Sequence, residues 1–425
     1  SAPRHADRRR QAPAQRPPNG EVLSEILVSG RPADRVFDAF FRKRRYLGSS
    51  DRRVIAERGY GALRHLRRSQ RVVTETLVVR PQDLVTPEAV RATLLAYLVS
   101  MGDLEHGKGL EPQALLDAVD PFEHELVERL RRAHQHLLKR KDLGVGVVFS
   151  FPDWIVERFA AEFPGRELEE LLSALNEQAP LSLRVNTLRT TVDACRRRLD
   201  EEGVPTTRGH HSPLALQLMR RINVFALPSF REGLFEMQDE ASQMVPILLD
   251  PKPTAKVLDA CAGAGGKTLE FAALMENRGE IVAGDVSAWR LGELRRRARR
   301  AGASNVRLQE LDLLKPIPDG LSAKFDVVLV DAPCSGVGTI RRNPGMKWSV
   351  TGEMLRGLSE TQLTMLRHSA AAVQPGGRLA YSTCTLFREE NEDVVNAFLA
   401  AHPEFSVLPL SQLNGVIRFV RRNDD

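Results

Sequence analysis

The chain has 425 residues, of which 42% are hydrophobic and 27% charged, and its formal net charge is +6. This length predicts about two to four domains with packed cores. The four cysteines form neither a disulfide framework nor a Cys-x-x-Cys metal pair, so we expect reduced thiols, a cytoplasmic location and no bound metal. No apolar stretch reaches the ~18 residues of a membrane span and no signal-peptide core is evident, so we expect no membrane partner.

The positive charge is concentrated in residues 1–20, which contain five arginines and one aspartate. Five positive charges minus one negative charge give +4, which leaves +2 of the net +6 for the remaining residues. The segment is rich in Arg, Pro and Gln and nearly lacks large apolar residues, so it predicts a disordered basic arm. An RNA-contacting tail and a solvated terminus explain it equally well.

Residues 21–145 carry a helical pattern of apolar side chains, as in Val36, Ala39 and Phe40. No period of about 20–50 residues recurs, so a globular helical domain is predicted and not a solenoid. The basic runs 64–71 and 129–141 could follow the phosphates of a nucleic acid. A solvated helix face is the simpler interpretation of either run alone.

Residues 146–237 change character near Pro180. Before it, Pro152 suits the first turn of a helix; after it, short alternating runs flank one helical segment, which predicts a small α+β module of a kind that can present a platform to RNA. The predicted strands are 181–186, 215–218 and 235–238, and the predicted helix is 192–202.

From residue 238 onward strands alternate with helices, which predicts a mostly parallel, doubly wound α/β sheet. Ser359 and Gln362 read as a capping box before the last helix. The predicted strands are 255–260, 280–285, 305–312, 325–331 and 378–382, and the predicted helices are 268–276, 288–300 and 363–373.

A glycine-rich loop, residues 261–267, directly follows the first of these strands. Ligands bind at the carboxyl ends of parallel strands, and glycines allow a close backbone approach, although a plain tight turn is the alternative. The GxxxxGKS/T pattern of a phosphate-binding loop fails, because Cys261 stands where the first glycine is needed.

Aspartates end four successive predicted strands, namely Asp259, Asp285, Asp312 and Asp331. Asp285 could accept both hydroxyls of a ribose, and Asp312 could face an adenine amino group. Lys267 is the only cation expected beside the loop. This combination favours a nucleoside without phosphates, and hence S-adenosylmethionine over NAD.

Cys334 and Cys384 each follow a predicted strand, which suggests covalent chemistry on an electrophilic ring. A thiolate that attacks carbon 6 of a pyrimidine makes carbon 5 able to accept a methyl group. Asp331 could then contact ring nitrogen 3 or the exocyclic amine and select cytosine. These residues alone leave open which thiol attacks, while Cys195 and Cys261 read as small buried hydrophobes.

Three longer runs carry a family resemblance, and the shorter runs 184–186 and 238–242 add to it. Over about residues 184–395, the chain closely resembles the Sun/RsmB-type RNA (cytosine-5) methyltransferases. The longer runs are Ala262 to Thr268; Asp331-Ala332-Pro333-Cys334-Ser335-Gly336-Val337-Gly338-Thr339 with Arg341-Arg342-Asn343-Pro344 and Lys347-Trp348; and Ser382-Thr383-Cys384-Thr385 with Glu389-Glu390-Asn391-Glu392.

The resemblance implies a domain order after the basic arm of residues 1–20. An all-α NusB-like domain over residues 21–145 would be followed, over residues 146–237, by a helical linker and an RRM-like α+β module. A Rossmann-like, S-adenosylmethionine-dependent methyltransferase domain would occupy residues 238–425.

The resemblance also implies that Cys384 is the nucleophile, that Cys334 assists product release and that Asp331 lies at the base. Pyrimidine methylases that act on DNA use a Pro-Cys nucleophile, so Cys334 is the rival assignment. Contacts to S-adenosylmethionine are implied for Cys261, Ala262, Gly263, Ala264, Gly265, Gly266, Lys267, Asp285, Arg290, Asp312 and Asp331.

Three departures from the family pattern stand out. Ala264 replaces a common proline, which we expect to change the stiffness of the loop only slightly. Gly345 replaces a common acidic residue, so we expect a contact near Arg342 to be lost. The run 416–422 lacks the usual Asp-Gly-Phe-Phe ending, which predicts a short or altered last hairpin.

The preferred interpretation is a monomeric enzyme that methylates carbon 5 of a cytosine in ribosomal RNA, with the base flipped out of its stack. The same chemistry on tRNA is one alternative. A non-catalytic RNA-binding assembly factor is another, which the altered ending and Gly345 leave open and the two thiols argue against. An NAD oxidoreductase is disfavoured, because the loop lacks GxGxxG and His368 falls in mid-helix.

Overall fold

The computed structural model describes residues 19–104, 111–408 and the backbone of 417–422. The predicted basic arm therefore lies, except for its last two residues, outside the described residues. The chain divides into two compact units: residues 1–178 with 339–350, and residues 179–338 with 351–425. Within the described ranges, no helix is long and apolar enough to cross a membrane.

Helices build the described part of the first unit, and residues 19–104 and 111–178 contain no strand. In α2, the buried side chains of Val36, Phe37 and Phe40 lie on one face at helical spacing, and they join the hydrophobic core of this unit. The helices are α1 (Asn19–Ser29), α2 (Ala33–Lys43), α3 (Ser49–Arg64), α4 (Leu66–Thr76), α5 (Pro87–Leu104), α6 (Pro112–Asp117), α7 (His124–Leu138), α8 (Val145–Val148), α9 (Asp153–Glu162) and α10 (Arg166–Asn176).

The second unit begins with a small four-stranded antiparallel sheet in the order β2-β3-β1-β4. Leu183 and Val185 share a core cluster with the fully buried Cys195, which is the small buried hydrophobe predicted. The elements are β1 (Ser182–Val185), α11 (Val192–Glu201), β2 (Thr206–Arg208), β3 (Ala215–Leu218), α12 (Pro228–Arg231) and β4 (Phe235–Met237).

A seven-stranded sheet in the order β10-β11-β9-β8-β5-β6-β7 follows. Strands β5 to β9 run parallel, and β11 pairs antiparallel with β9 and β10. The elements are α13 (Glu240–Leu249), β5 (Lys256–Asp259), α14 (Gly266–Leu274), β6 (Glu280–Asp285), α15 (Ala288–Ala301), β7 (Val306–Glu310), β8 (Phe325–Asp331), α16 (Met346–Ser349, in the first unit), α17 (Gly352–Ala370), β9 (Val373–Ser382), α18 (Glu392–Ala401), β10 (Phe405–Val407) and β11 (Ile417–Arg422).

The strand order reverses between β5 and β8, the neighbouring strands at the centre of the sheet. The chain runs outward from β5 to β6 and β7 and then returns to β8 and β9. A ligand crevice is expected at the carboxyl ends of the strands beside such a reversal. Asp259 ends β5 and Asp331 ends β8, so this edge carries the predicted site.

Residues 339–350 belong to the first unit, although the chain on both sides of them belongs to the second. Lys347 is fully buried there, and its Nζ donates to the carbonyl oxygens of Arg64 and Ser150 at 2.9 and 3.1 Å. It also donates to the amide oxygen of Asn176 at 2.5 Å. These contacts tie the segment to α3 and α10, which no pattern in the sequence predicted.

Gly345 lies in the same segment, where the packing leaves little room for a side chain. A Cβ atom at Gly345 would come within 3.2 Å of the Cβ atom of Ala33. The expected loss of a contact near Arg342 stays a prediction.

Helix α17 corrects one expectation about helix capping. Its N-cap is Thr351, whose hydroxyl accepts a hydrogen bond from the Met354 amide at 3.2 Å. The predicted cap at Ser359 is wrong, because this residue lies inside the helix and its hydroxyl donates to the carbonyl of Leu355. The helix extends back through Gly357 to Gly352, and no proline interrupts residues 352–358.

Candidate active site

The glycine-rich loop turns sharply between β5 and α14. Gly263 and Gly265 have φ angles of +56° and +89°, which lie in the left-handed region that favours glycine. The Gly263 amide donates to Asp285 Oδ2 at 3.0 Å, and the Ser287 amide donates to Asp285 Oδ1 at 2.8 Å. The carboxylate that ends β6 therefore fixes the loop after β5.

Asp259 supports the loop from below. Its side chain is buried, and Oδ2 accepts the hydroxyl of Thr268 at 2.6 Å. Within the described structure, Oδ1 has no hydrogen-bond partner. Burial raises the pKa of Asp259 to about 6. The Asp259 carboxyl group therefore stabilises the loop from the interior and is not accessible to a ligand.

An arginine from α15 holds the carbonyl group of Ala264, the residue that replaces the common proline. Arg297 Nη1 donates to Ala264 O at 2.6 Å. Glu236 of β4 orients this arginine through an ion pair of 3.0 Å, and its own side chain is 4% exposed. The Arg297 guanidinium thus restrains the loop at Ala264, where the proline ring that is common in the family is absent.

A second arginine holds the end of the loop. Arg184 of β1 is almost completely buried, and its Nη1 donates to Gly266 O at 2.6 Å and pairs with Glu270 Oε2 at 3.1 Å. It also donates to the side chain of Gln238. The runs around 184 and 238, which carry part of the family resemblance, therefore hold the end of the loop.

The two thiols that the sequence singled out lie side by side. Cys334 Sγ and Cys384 Sγ are 3.3 Å apart, and the Cys384 amide also points at Cys334 Sγ at 3.3 Å. Cys384 is exposed and Cys334 is partly buried. The structure therefore brings together residues that are fifty positions apart in the chain.

The electrostatics of the pair favour a negative charge on Cys384. A hydrogen bond from the Cys334 thiol lowers the pKa of Cys384, although burial and the Asp331 carboxylate oppose the shift; the Lys267 ammonium adds to it. The same hydrogen bond, together with burial, raises the pKa of Cys334. Of the two thiols, Cys384 is therefore the one that ionises more readily.

Lys267 and Asp331 form an ion pair in which Nζ lies 2.5 Å from Oδ2. Lys267 thus reaches from the loop to the carboxylate that ends β8. Both charges act on Cys384, which is consistent with a single site that contains the loop, Asp331 and the thiol pair.

Three further residues were predicted to contact the cofactor, namely Cys261, Arg290 and Asp312. Burial raises the pKa of Cys261 well above its ordinary value, so this thiol stays neutral. Arg290 approaches Asp285 Oδ2 at 3.7 Å. Asp312 lies beyond the last residue of β7, Glu310, and so does not end a strand as predicted; its Oδ1 accepts the Leu314 amide at 3.1 Å.

The donors and acceptors around the loop fit S-adenosylmethionine better than a phosphorylated cofactor. A Cβ atom at Gly263 would meet nothing within 4 Å, so the space above the loop is open. Asp285 lies at its edge, where a carboxylate suits ribose hydroxyls. The expectation that Lys267 is the only cation beside the loop is wrong, because Arg184 and Arg297 also contact it. All three are engaged with carboxylates or carbonyl groups.

Comparisons with known proteins identify the family. Residues 246–420 match the family model described as 16S rRNA methyltransferase RsmB/F, and residues 151–225 match the ferredoxin-like domain of RsmF/B-like methyltransferases. The chain is similar to the crystal structure of PH0851, with a TM-score of 0.74 and 26% identity over 97% of this chain and 99% of that one.

Two relatives carry related names. The chain is 32% identical to the "Probable ribosomal RNA small subunit methyltransferase B" of Synechocystis over 85% of this chain and 84% of the relative. It is 35% identical to the protein of the same name in Bacillus subtilis, over 60% of this chain and 57% of that protein. The chain therefore belongs to the RsmB/F family of ribosomal RNA methyltransferases, which confirms the predicted resemblance and its cofactor, S-adenosylmethionine.

Proposed function

We propose that this protein methylates carbon 5 of a cytosine in ribosomal RNA through a covalent adduct between Cys384 and carbon 6. The observation that carries the proposal is the thiol pair, with 3.3 Å between its sulfur atoms and opposite pKa shifts. A pure RNA-binding factor has no use for such a pair. In this proposal Cys384 attacks and Cys334 assists release.

The chemistry needs three changes at the base. The Cys384 thiolate forms a bond to carbon 6, and the electron pair displaced from the double bond makes carbon 5 nucleophilic. When bound, S-adenosylmethionine supplies the methyl group that carbon 5 takes. Loss of the carbon 5 proton to a base then expels the Cys384 thiolate and restores the ring. Cys334 lies next to the bond that must break.

Asp331 is proposed to recognise the base. Its carboxylate ends β8 in the same site as the thiols, and Lys267 orients one of its oxygens. The other oxygen can accept from the exocyclic amine of cytosine, which uracil lacks. Cofactor contacts are proposed for the loop residues 261–267 and for Asp285, Arg290, Asp312 and Asp331.

The other parts of the chain are proposed to hold the RNA. The helical residues 21–145 are interpreted as NusB-like, the small sheet within 146–237 as RRM-like and residues 238–425 as the methyltransferase domain. The protein is proposed to act as a cytoplasmic monomer, and the basic arm 1–20 to add contacts to phosphates.

Two substitutions test the chemistry with a small-subunit ribosomal RNA transcript and radiolabelled S-adenosylmethionine. Cys384→Ala should abolish methyl transfer, and Cys334→Ala should accumulate a covalent protein–RNA band on a denaturing gel. Cys195→Ala, which removes a thiol from the core of the small sheet, should do neither. Methyl transfer by Cys384→Ala would overturn the assignment of the nucleophile.

The RNA itself is identified by bisulfite sequencing of cellular RNA with and without this protein. Loss of one protected cytosine in small-subunit ribosomal RNA is the expected result. A change confined to tRNA would keep the chemistry and replace the substrate.

A further inference from the structure

A fully buried carboxylate lies directly behind the Cys334 loop. Glu390 is 0% exposed, and its Oε1 accepts hydrogen bonds from the Ser335 amide at 2.8 Å and from Gln362 Nε2 at 2.9 Å. Its Oε2 accepts the Ser335 hydroxyl at 2.5 Å. Gln362 in turn donates to the carbonyl of Pro333 at 2.9 Å. The residues on both sides of Cys334 are therefore held by Glu390, either directly or through Gln362.

The next residue holds the loop that carries the other thiol. Asn391 is 7% exposed, and its Nδ2 donates to the carbonyls of Thr385 and Phe387 at 3.3 and 2.9 Å. Its Oδ1 accepts the hydroxyl of Thr383 at 2.6 Å. Asn391 therefore holds the residue before Cys384 and the residue after it.

Two consecutive buried residues thus serve two separate loops. The Glu390 backbone is itself fixed, because the Tyr381 hydroxyl, at the end of β9, donates to its carbonyl at 2.7 Å. The distance between two sulfur atoms depends on how accurately their loops are placed, and a site that is loosely supported loses activity. A rigid turn that supports both loops is a direct way to keep the sulfur atoms at 3.3 Å.

We propose that Glu390 and Asn391 are positioning residues for the two thiols, Glu390 for the release step at Cys334 and Asn391 for the attack by Cys384. This inference rests on the proposed function. It separates the two residues by phenotype: loss of the Glu390 contacts should leave attack intact and impair release, whereas loss of the Asn391 contacts should impair attack.

The test uses the full chain, a small-subunit ribosomal RNA transcript and radiolabelled S-adenosylmethionine. Glu390→Gln should accumulate the covalent RNA band that Cys334→Ala gives, although both cysteines are present, and should lower turnover about 10-fold, the effect of losing one hydrogen bond to a charged group. Asn391→Asp places an oxygen where two carbonyls require a donor, so it should lower the rate of adduct formation without accumulating the band. Cofactor affinity, measured by calorimetry, should stay at the wild-type value in both variants.

Glu389→Gln is the matched control, because it makes the same change one residue away, on a side chain that is not fully buried. It should behave as wild type. If Glu390→Gln fails to fold, Gln362→Met removes one of the hydrogen bonds of Glu390 and the one to the Pro333 carbonyl, keeps the carboxylate, and should show the same band. Wild-type band intensity in the folded variant overturns the inference, as does an equal loss of adduct, turnover and thermal stability in both variants.

Parallel data on Cys384→Ala separate the two hypotheses. Methyl transfer by that variant would defeat the proposed function itself. An inactive Cys384→Ala together with a wild-type Glu390→Gln would defeat only the positioning role.

Discussion

Arg184 and Glu270 form an ion pair whose side chains are only 2% and 0% exposed. Removal of one partner from a buried pair leaves an uncompensated charge, which costs about 3–5 kcal/mol. Arg184→Met removes the cation and keeps much of the side-chain volume. We therefore expect this variant to lower the free energy of unfolding of the second unit by about 3–5 kcal/mol at pH 8.

The size of the loss should depend on pH. Burial raises the pKa of Glu270 from its ordinary value of 4.5 to about 7, although Arg184 opposes the shift. A carboxyl group whose pKa is raised by folding contributes stability that is complete below pH 4.5 and is lost as the pH rises through 7. The difference between these pKa values corresponds to about 3 kcal/mol. Without Arg184 this pKa rises further, so Arg184→Met should cost less at pH 6 than at pH 8.

Hydrogen exchange of the β5 and β6 amides, followed by mass spectrometry, measures the free energy of opening of this part of the fold. Glu270→Gln in the Arg184→Met background should recover most of the loss and remove its pH dependence. Arg208→Met is the control, because Arg208 is 47% exposed and its pair with Asp193 should contribute about 0–1 kcal/mol. Equal losses at pH 6 and 8, with strictly additive effects in the double variant, would refute the reasoning.

Three further predictions follow from the loop. The pKa of Asp259 is raised from 3.8 to about 6, so the wild-type free energy of unfolding should fall by about 3 kcal/mol between about pH 4 and 6. Asp259→Asn should abolish this fall. Hydrogen exchange at several pH values measures it, and an unchanged slope would contradict the prediction. Arg297→Lys should weaken binding of S-adenosylmethionine about 10-fold by calorimetry, while Arg299→Lys should not; equal affinities would argue against the contact to Ala264. Gly265→Ala should destabilise the unit by at least about 1 kcal/mol, since φ is +89° and the new Cβ would lie 2.5 Å from Leu294 Cγ; an unchanged melting temperature would disagree.

The sequence was most informative where the fold follows general rules. Alternating strands and helices predicted the parallel sheet, and the carboxyl-end rule predicted that the loops after β8 and β9 meet, which the 3.3 Å distance between the two sulfur atoms confirms. The roles of Cys334 and Cys384 stay a proposal. Asp312 shows the limit of the rule, because β7 ends at Glu310, two residues before the aspartate that was expected to end it.

The sequence was least informative about contacts between buried polar groups. Arg184 meets Glu270 across 86 positions of the chain, and Ser335 meets Glu390 across 55. No local periodicity reports such pairs, because each partner alone resembles an ordinary charged residue. The family signatures around 184 and 390 were the only signal that these residues had a specific role.

The placement of residues 339–350 in the first unit has a consequence for synthesis. A ribosome releases the chain from its N-terminus, so α1 to α10 emerge long before the segment that carries Lys347. Until then, the carbonyl groups of Arg64 and Ser150 lack the ammonium group that they bind in the finished protein. The first unit can therefore be completed only after residues 179–338 of the second have been translated, and a gene truncated before residue 347 encodes a helical unit that lacks this ammonium group.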